Sequence, residues 1–387
     1  MKILFLHTAD WYFRLHRLGL ARAMRRRGMQ VFIMTQVDRD GDFLKEEGYH
    51  VIPWQISRRS LNPFRELLTF LQVCRVYRRV KPDMVHHFTL KAVVYGGLAA
   101  RLCARIPSVN SIAGLGHVFT ARNFSMRILK TLVLSLLRLA LRDRKAQTIF
   151  ENNEDRKLLM TARVVRPERS VVIGGVGVNP TEFSPLAEPD GVPLVLLASR
   201  MLWEKGVGEF VKAAETLKKA GLRARFVLAG VPDPGNPASI PEAQLRAWAD
   251  EGFVEWWGQQ GDMPQVLAQS NVVCLPSAYG EGLPRILIEA AACGRAIVTT
   301  DVPGCRDIVR HEENGLLVPV RDAKALAEAL ARLLNDPGLR ARMGGRGREI
   351  FLSGFTEEQV LEQTLSVYRA ALGSSAPLLE AKGPASS

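Results

Sequence analysis

The sequence has few of the features that mark small secreted or membrane-spanning folds. Its five cysteines, Cys74, Cys103, Cys274, Cys293 and Cys305, are odd in number and include no Cys-x-x-Cys pair. Neither a disulfide framework nor a structural zinc site is therefore supported, and the expected environment is reducing and cytosolic. No window reaches 18 uncharged apolar residues, so no transmembrane helix is predicted. The start, MKILFLHTAD, has too short an apolar run before His7 for a signal peptide and reads as a first strand. No internal repeat at a solenoid period is visible. Acidic residues are scarce in the first half: residues 1–180 carry 31 Lys+Arg against 13 Asp+Glu, whereas the remainder carries 21 against 26.

What is present suits a globular protein of two domains. The 387 residues are 47% hydrophobic and 24% charged, near the soluble average of roughly half and a quarter, and domains run to about 150 residues. A half at +18 joined to a half at −5 implies an anionic partner for one domain only. Nucleic acid, an anionic bilayer and a phosphate-bearing substrate all meet that description, and so do many solvated arginines.

Apolar strand-like runs at 2–6, 31–34, 84–87 and 108–112 alternate with helical stretches at 63–80 and 92–104. That alternation predicts a parallel sheet with helices on both faces. After a Pro- and acid-rich stretch, 179–193, the pattern restarts with strands at 193–198, 224–230, 271–276 and 296–300. The predicted fold class is α/β, two doubly wound domains in series, with ligands at the carboxyl ends of the strands. Expected boundaries are 1–185, 186–355, a helix at 356–372 carrying Val360, Leu361, Leu365 and Val367, and a small polar tail at 373–387. A capping box is predicted at Thr356 and Gln359.

Two strand-to-helix loops carry the candidate chemistry. In SRMLWEKGV, Arg200 and Lys205 precede a helix whose positive end faces anions. A guanidinium fork and an ammonium point charge suit a diphosphate, although by themselves the pair also fits two solvated loop cations. In SAYGEGLPRILIEAAACG, Gly280 and Gly282 precede Pro284 at a second helix start, and Glu289 follows Glu281 by eight residues. Were the rise helical throughout, the two carboxylates would lie about 12 Å apart along the axis. That span would let one carboxylate grip a sugar and the other a ribose across a diphosphate, with paired hydrogen bonds from hydroxyls.

The segments SRMLWEKGV and EGLPRILIE, with VVIGGVGVNPTEF before the boundary and GCRDIVRHEENGLLVP after them, resemble the retaining glycosyltransferase family 4. The spacing of Glu281 and Glu289 is that family's Glu-x7-Glu motif. The amino half, through DWYFRLHR, VHHFTLKAVVYG and SIAGLGHVFT, is similar to the branch that builds bacterial surface polysaccharides on undecaprenyl-linked intermediates. The resemblance implies a GT-B fold, two Rossmann-like domains facing across a cleft, with acceptor on the amino domain and nucleotide sugar on the carboxyl domain. It implies that Arg200 and Lys205 bind the donor diphosphate, Glu281 the transferred sugar and Glu289 the ribose. It also implies backbone amides from Gly282, Leu283 and Pro284, and Gly258 and Gln259 near the base. His117 and His87 are candidates on the acceptor side. The sequence departs from the family where HTADWYFRLHR replaces the glycine pair that usually follows the first strand, and where Ala113 and Gly114 stand in place of a histidine after the fifth.

The expected activity is transfer of a sugar, most simply from a UDP-sugar, to a lipid-diphosphate-linked saccharide, with retention and without metal or other cofactor. The expected place is the cytoplasmic face of an anionic inner membrane. Residues 124–145 mix leucines with Arg127, Lys130, Arg138, Arg142, Arg144 and Lys145, the composition of an interfacial helix, and equally of one packed on the sheet. Asp38–Asp42, DRDGD, lacks the later glycine and glutamate of a calcium loop and reads as a solvated turn. Rival readings are a sugar-nucleotide epimerase of the same fold and a non-enzymatic protein that binds anionic lipid or nucleic acid. No basic recognition helix supports nucleic acid as a partner.

Overall fold

The computed structural model describes residues 1–57, 62–115 and 124–373, which form two compact units. One comprises Met1–Val176 and resumes at Leu361, and the other is Gly177–Val360. His117 and the tail beyond Gly373 lie outside the described residues.

In the first unit, strands β1 (Lys2–Leu6), β2 (Gln30–Thr35), β3 (His50–Pro53), β4 (Met84–Phe88), β5 (Ser108–Ile112), β6 (Ala146–Phe150) and β7 (Ser170–Val172) form one sheet. Its order is β3-β2-β1-β4-β5-β6-β7, with every pairing parallel. In the second unit, β8 (Leu194–Ala198), β9 (Arg225–Ala229), β10 (Glu255–Gly258), β11 (Val272–Leu275), β12 (Ala296–Thr300) and β13 (Gly315–Val318) run β10-β9-β8-β11-β12-β13, again all parallel. Strand β8 shows why its sequence is almost purely apolar. Val195 and Leu197 enter the core on one face, while Leu194, Leu196 and Ala198 enter the core on the other, as a parallel strand covered on both sides requires.

Each unit has its own core, and each order reverses beside its first strand. In the second, β8 pairs with β9 on one side and β11 on the other, which makes the loops after β8 and β11 the crevice where such sheets receive ligands.

The chain divides after Val176, earlier than 185, because residues 179–193 are tied into the second unit. Phe183 is buried there, Arg340 donates to both carboxylate oxygens of Glu188, and Arg348 donates to the Phe183 and Pro180 carbonyls. At the other end the division falls inside the helix Glu357–Leu372. The capping box forms: the Thr356 hydroxyl accepts from the Gln359 amide at 3.3 Å, and the Thr356 amide donates to the Gln359 side chain at 3.2 Å.

Histidines at the end of β4 build a buried polar network in the first unit. Asn110 donates through Nδ2 to the Gln147 carbonyl at 3.1 Å, so its Oδ1 faces His87, and His87 Nδ1 donates to it at 2.7 Å. His87 Nε2 then accepts from the Tyr77 hydroxyl at 2.8 Å. His86 bonds the Ser111 and Tyr368 hydroxyls at 2.7 and 2.6 Å. Burial without a compensating charge pushes both imidazoles below their ordinary value, His87 to about 4. His87, the acceptor-side candidate, is fully buried with both ring nitrogens engaged.

The DRDGD turn is not merely solvated. The amides of Asp38, Arg39 and Asp40 converge on one carboxylate oxygen of buried Asp10, at 2.8, 3.0 and 2.9 Å. Asp10 opens the helix Asp10–Arg26 directly after β1, where the family's glycine pair is missing. The helix Phe124–Leu141 serves two environments. Leu137, Ala140 and Leu141 are in the core, and Ile128, Leu132 and Leu139 are exposed. Among the described residues no helix is long and apolar enough to cross a membrane.

Candidate functional site

All four charged candidates of the carboxyl half, Arg200, Lys205, Glu281 and Glu289, lie on the loops and helices that follow β8 and β11. The loop after β8 ends in a 3-10 turn, Trp203–Lys205, and then Gly206 at φ 74. A Cβ at Gly206 would stand 2.0 Å from the Pro276 carbonyl oxygen. Only glycine lets this turn press against the end of β11, and the Ala278 amide then donates to the Glu204 carbonyl at 2.8 Å. Sequence distance is thereby removed: Lys205 Nζ donates to Glu281 Oε1 at 2.6 Å.

That oxygen also accepts from Ser277 Oγ at 2.6 Å. Ser277 is fully buried, and both partners of the ion pair are largely so. Burial disfavours the charged ammonium, but the Glu281 carboxylate and the Tyr279 ring beside it outweigh that cost and hold Lys205 above the ordinary lysine value. Lys205 stays charged at every physiological pH. Arg200 donates to Asp233 Oδ2 at 2.7 Å; Asp233 comes from the loop after β9 and Arg200 is about one-third exposed. Both cations thus rest against carboxylates.

The second loop is held by another close approach. Gly304, at φ 81, would place a Cβ 2.0 Å from the Gly282 carbonyl oxygen, and the Glu281 amide donates to the Pro303 carbonyl at 3.0 Å. The helix then runs Arg285–Ala292 with Pro284 as its N-cap residue. The rise from Glu281 to Glu289 is therefore helical only over its second half, so 12 Å does not describe it. Proline has no N–H, so Pro284 contributes a fixed φ at the helix start and no amide hydrogen. Glu289 is buried and accepts from Arg285 Nε at 2.7 Å. Burial raises its carboxyl, and Arg285 only partly offsets that.

Gly282 and Leu283 are buried in the same loop. Gly258 closes β10 at φ 66, its carbonyl accepting from the Gly230 amide at 2.7 Å, and Gln259 beyond it is exposed. These two stand two strands from β8 on the edge of the sheet. His87 belongs to the core of the other unit, as described.

Residues 178–350 match the family described as Glycosyl transferases group 1, and residues 2–153 match Glycosyl transferase 4-like. The chain belongs to the glycosyltransferases. It is 29% identical, over 95% of its length and 98% of the other, to the N,N'-diacetylbacillosaminyl-diphospho-undecaprenol alpha-1,3-N-acetylgalactosaminyltransferase of Campylobacter jejuni. It is 22% identical, over 80% and 81%, to an Escherichia coli UDP-Gal:alpha-D-GlcNAc-diphosphoundecaprenol alpha-1,3-galactosyltransferase. The structure of Anabaena Alr3699/HepE in complex with UDP and glucose superposes with a TM-score of 0.76 at 20% identity, covering 95% of this chain and 99% of that one. The fold of this glycosyltransferase is GT-B.

Sequence reasoning about this glycosyltransferase missed Asp233 and Ser277. Ser277 could have been found, since it follows β11 immediately and precedes Glu281 by four residues in the same loop. Asp233 lies in a Pro- and Gly-rich loop, VPDPGNP, whose path no local pattern fixes.

Proposed function

We propose that this glycosyltransferase moves a sugar from a UDP-sugar to a hydroxyl of a saccharide carried on a lipid diphosphate, with retention of anomeric configuration and without a metal ion. The observation that carries the reading is the buried Lys205–Glu281 pair, which joins the loops after β8 and β11 at the switch point. A cation for phosphate and a carboxylate for sugar hydroxyls then flank one bond, the glycosyl–phosphate bond that breaks. The names of the two undecaprenol-diphosphate relatives and the UDP bound by the structural relative support the substrate classes.

In this proposal Arg200 and Lys205 exchange their resident carboxylates for the donor diphosphate and stabilise the negative charge that accumulates as it leaves. Losing one such donor typically costs about a hundred- to a thousand-fold in rate. Glu281 binds the transferred sugar, and Glu289 the ribose. The backbone of Gly282 and Leu283 borders the phosphates, and Gly258 with Gln259 borders the base. The acceptor oxygen attacks the anomeric carbon on the face the diphosphate leaves, and its proton passes to a phosphate oxygen. The amino-terminal unit takes the acceptor, and its excess of arginine and lysine holds the protein peripherally on the cytoplasmic face of an anionic membrane, with the exposed side of the helix Phe124–Leu141 as one contact.

Turnover by Arg200→Ala, Lys205→Ala and Glu281→Ala tests the assignment. Each is expected to fall by a hundredfold or more, and near-wild-type rates in folded variants would remove it. Melting shifts across a panel of nucleotide sugars would fix the donor, because a ligand at a hundred times its Kd stabilises by about 2.7 kcal/mol.

A further inference from the structure

The helix Pro63–Val80 leaves large apolar side chains on its solvent side. Phe64 is 79% exposed, Leu67 54%, Leu68 67% and Leu71 44%. Their spacing, i, i+3, i+4 and i+7, is that of a buried helix face, yet this is the face turned away from the core. The opposite face is firmly seated. Thr69, Val73, Cys74 and Tyr77 are buried, Gln72 Nε2 donates to the Pro53 carbonyl at 2.9 Å, and Thr69 Oγ1 donates to the Gln55 carbonyl at 3.1 Å. The start of the helix is capped as well, since Asn62 Oδ1 accepts from the amides of Phe64 and Arg65 at 3.0 and 3.3 Å. Rolling the helix to hide its leucines would break the bonds to Pro53 and Gln55 and expose Val73, Cys74 and Tyr77.

The same stripe continues into cations. Arg75 and Arg78 follow Leu71 at helical spacing, with Arg79 beside them, and all three are exposed. None of these three forms an ion pair among the described residues. The acid of this helix, Glu66, turns inward to Lys91 at 3.2 Å. From Phe64 to Arg78 the stripe is about 21 Å long, apolar at one end and cationic at the other.

We infer that the face carrying Phe64, Leu67, Leu68, Leu71, Arg75 and Arg78 docks this protein on an anionic bilayer, the apolar end entering the acyl boundary and the arginines resting on lipid phosphates. Charge decides between occupants. A second copy of the chain would set arginine against arginine about a two-fold axis along the helix, and arginine against leucine about one across it, whereas an anionic headgroup layer meets both ends of the stripe at once. The inference rests on the proposal of peripheral membrane association and places its principal contact on Pro63–Val80, with Phe124–Leu141 at most a secondary one.

Co-sedimentation of the full chain with phosphatidylglycerol/phosphatidylcholine vesicles, against phosphatidylcholine alone, tests it. Wild type binds the anionic vesicles more tightly, and salt weakens that binding. Leu67→Gln and Leu68→Gln each cost about tenfold in partitioning. Arg75→Gln and Arg78→Gln each cost roughly fivefold and flatten the salt dependence. UDP-induced melting shifts stay at wild-type size in all four, which shows them folded. In Phe64→Trp, a site open enough to accept the larger ring, emission shifts to the blue on adding anionic vesicles. Unchanged partitioning in Leu67→Gln/Leu68→Gln, with loss instead in Ile128→Gln/Leu132→Gln, would overturn this surface while leaving membrane association intact. Absence of wild-type binding would overturn both. A dimer that Leu68→Gln dissociates without altering vesicle binding would make the face a contact between copies and also overturn it.

Discussion

Replacing Lys205 with methionine keeps the volume of the side chain and removes its charge. Two effects follow, and they differ in what rescues them. Glu281 is left largely buried without the ammonium, and it keeps the hydrogen bond from Ser277. Breaking a buried pair from one side costs about 3–5 kcal/mol, and with the Ser277 bond kept and about a tenth of each side chain open to water, roughly 2–3 kcal/mol is expected. For a unit of this size that lowers Tm by roughly 5–10 °C. Adding Glu281→Gln removes the stranded charge, so the double variant should regain most of that fall in a calorimetric scan. Function should not follow stability. A charge-assisted bond is worth about 1.5–3 kcal/mol, so Kd for UDP rises by about tenfold to a hundredfold in Lys205→Met and stays raised in the double variant, while Kd for uridine is unchanged. Isothermal titration with both ligands reads this. If UDP binds Lys205→Met as tightly as wild type, or if the double variant is no more stable than the single one, the reasoning about this pair is refuted.

Glu289 should reveal itself by pH. Burial raises its carboxyl in the folded state, so its ionised form opposes folding: its contribution is most favourable below the unfolded value and is lost as pH rises through the folded one. Glu289→Gln should therefore melt higher than wild type at pH 7 and lose that advantage on acidification toward pH 4.5, while UDP binding weakens. Tyr368→Phe deletes the hydroxyl 2.6 Å from buried His86 and should cost about 1–3 kcal/mol in denaturant unfolding, with UDP affinity untouched. Gly304→Ala would drive a methyl into the Gly282 carbonyl at a positive φ. It should lower both Tm and turnover, and a full-activity, full-stability variant would show that the loop around Glu281 is not held as described.

The strands read correctly from the sequence are interior ones such as β1, β8, β11 and β12, covered on both faces and therefore written as runs that are apolar throughout in β8 and β11 and broken only by Lys2 in β1 and by Thr299 and Thr300 in β12. The strands missed include β3, β7, β10 and β13, which are the four sheet edges. An edge strand has one neighbour and partial cover, so HVIP, SVV and EWWG are short and mixed in polarity, and β13, although buried, is only four residues long. The site divides in the same way. Arg200, Lys205 and Glu281 lie in loops whose flanking strand and helix are legible, and Glu289 lies on the helix that follows the second loop, so their placement followed from local pattern. The Asp233 partner of Arg200 depends on how a proline-rich loop returns across the sheet, and the tautomer of His87 depends on a carbonyl from a neighbouring strand. Neither is encoded locally. His87 near the end of β4 reads as a candidate because strand ends so often carry function, whereas the buried partners that engage it come from Tyr77 and Asn110.

The central claim is that Arg200 and Lys205 are the seat of the donor diphosphate. A crystal structure of the full chain with UDP tests it most directly. The account predicts a phosphate oxygen within hydrogen-bonding distance of Lys205 Nζ and of the Arg200 guanidinium, with Asp233 displaced from Arg200. UDP bound elsewhere, with the Lys205–Glu281 and Arg200–Asp233 pairs intact, would contradict it.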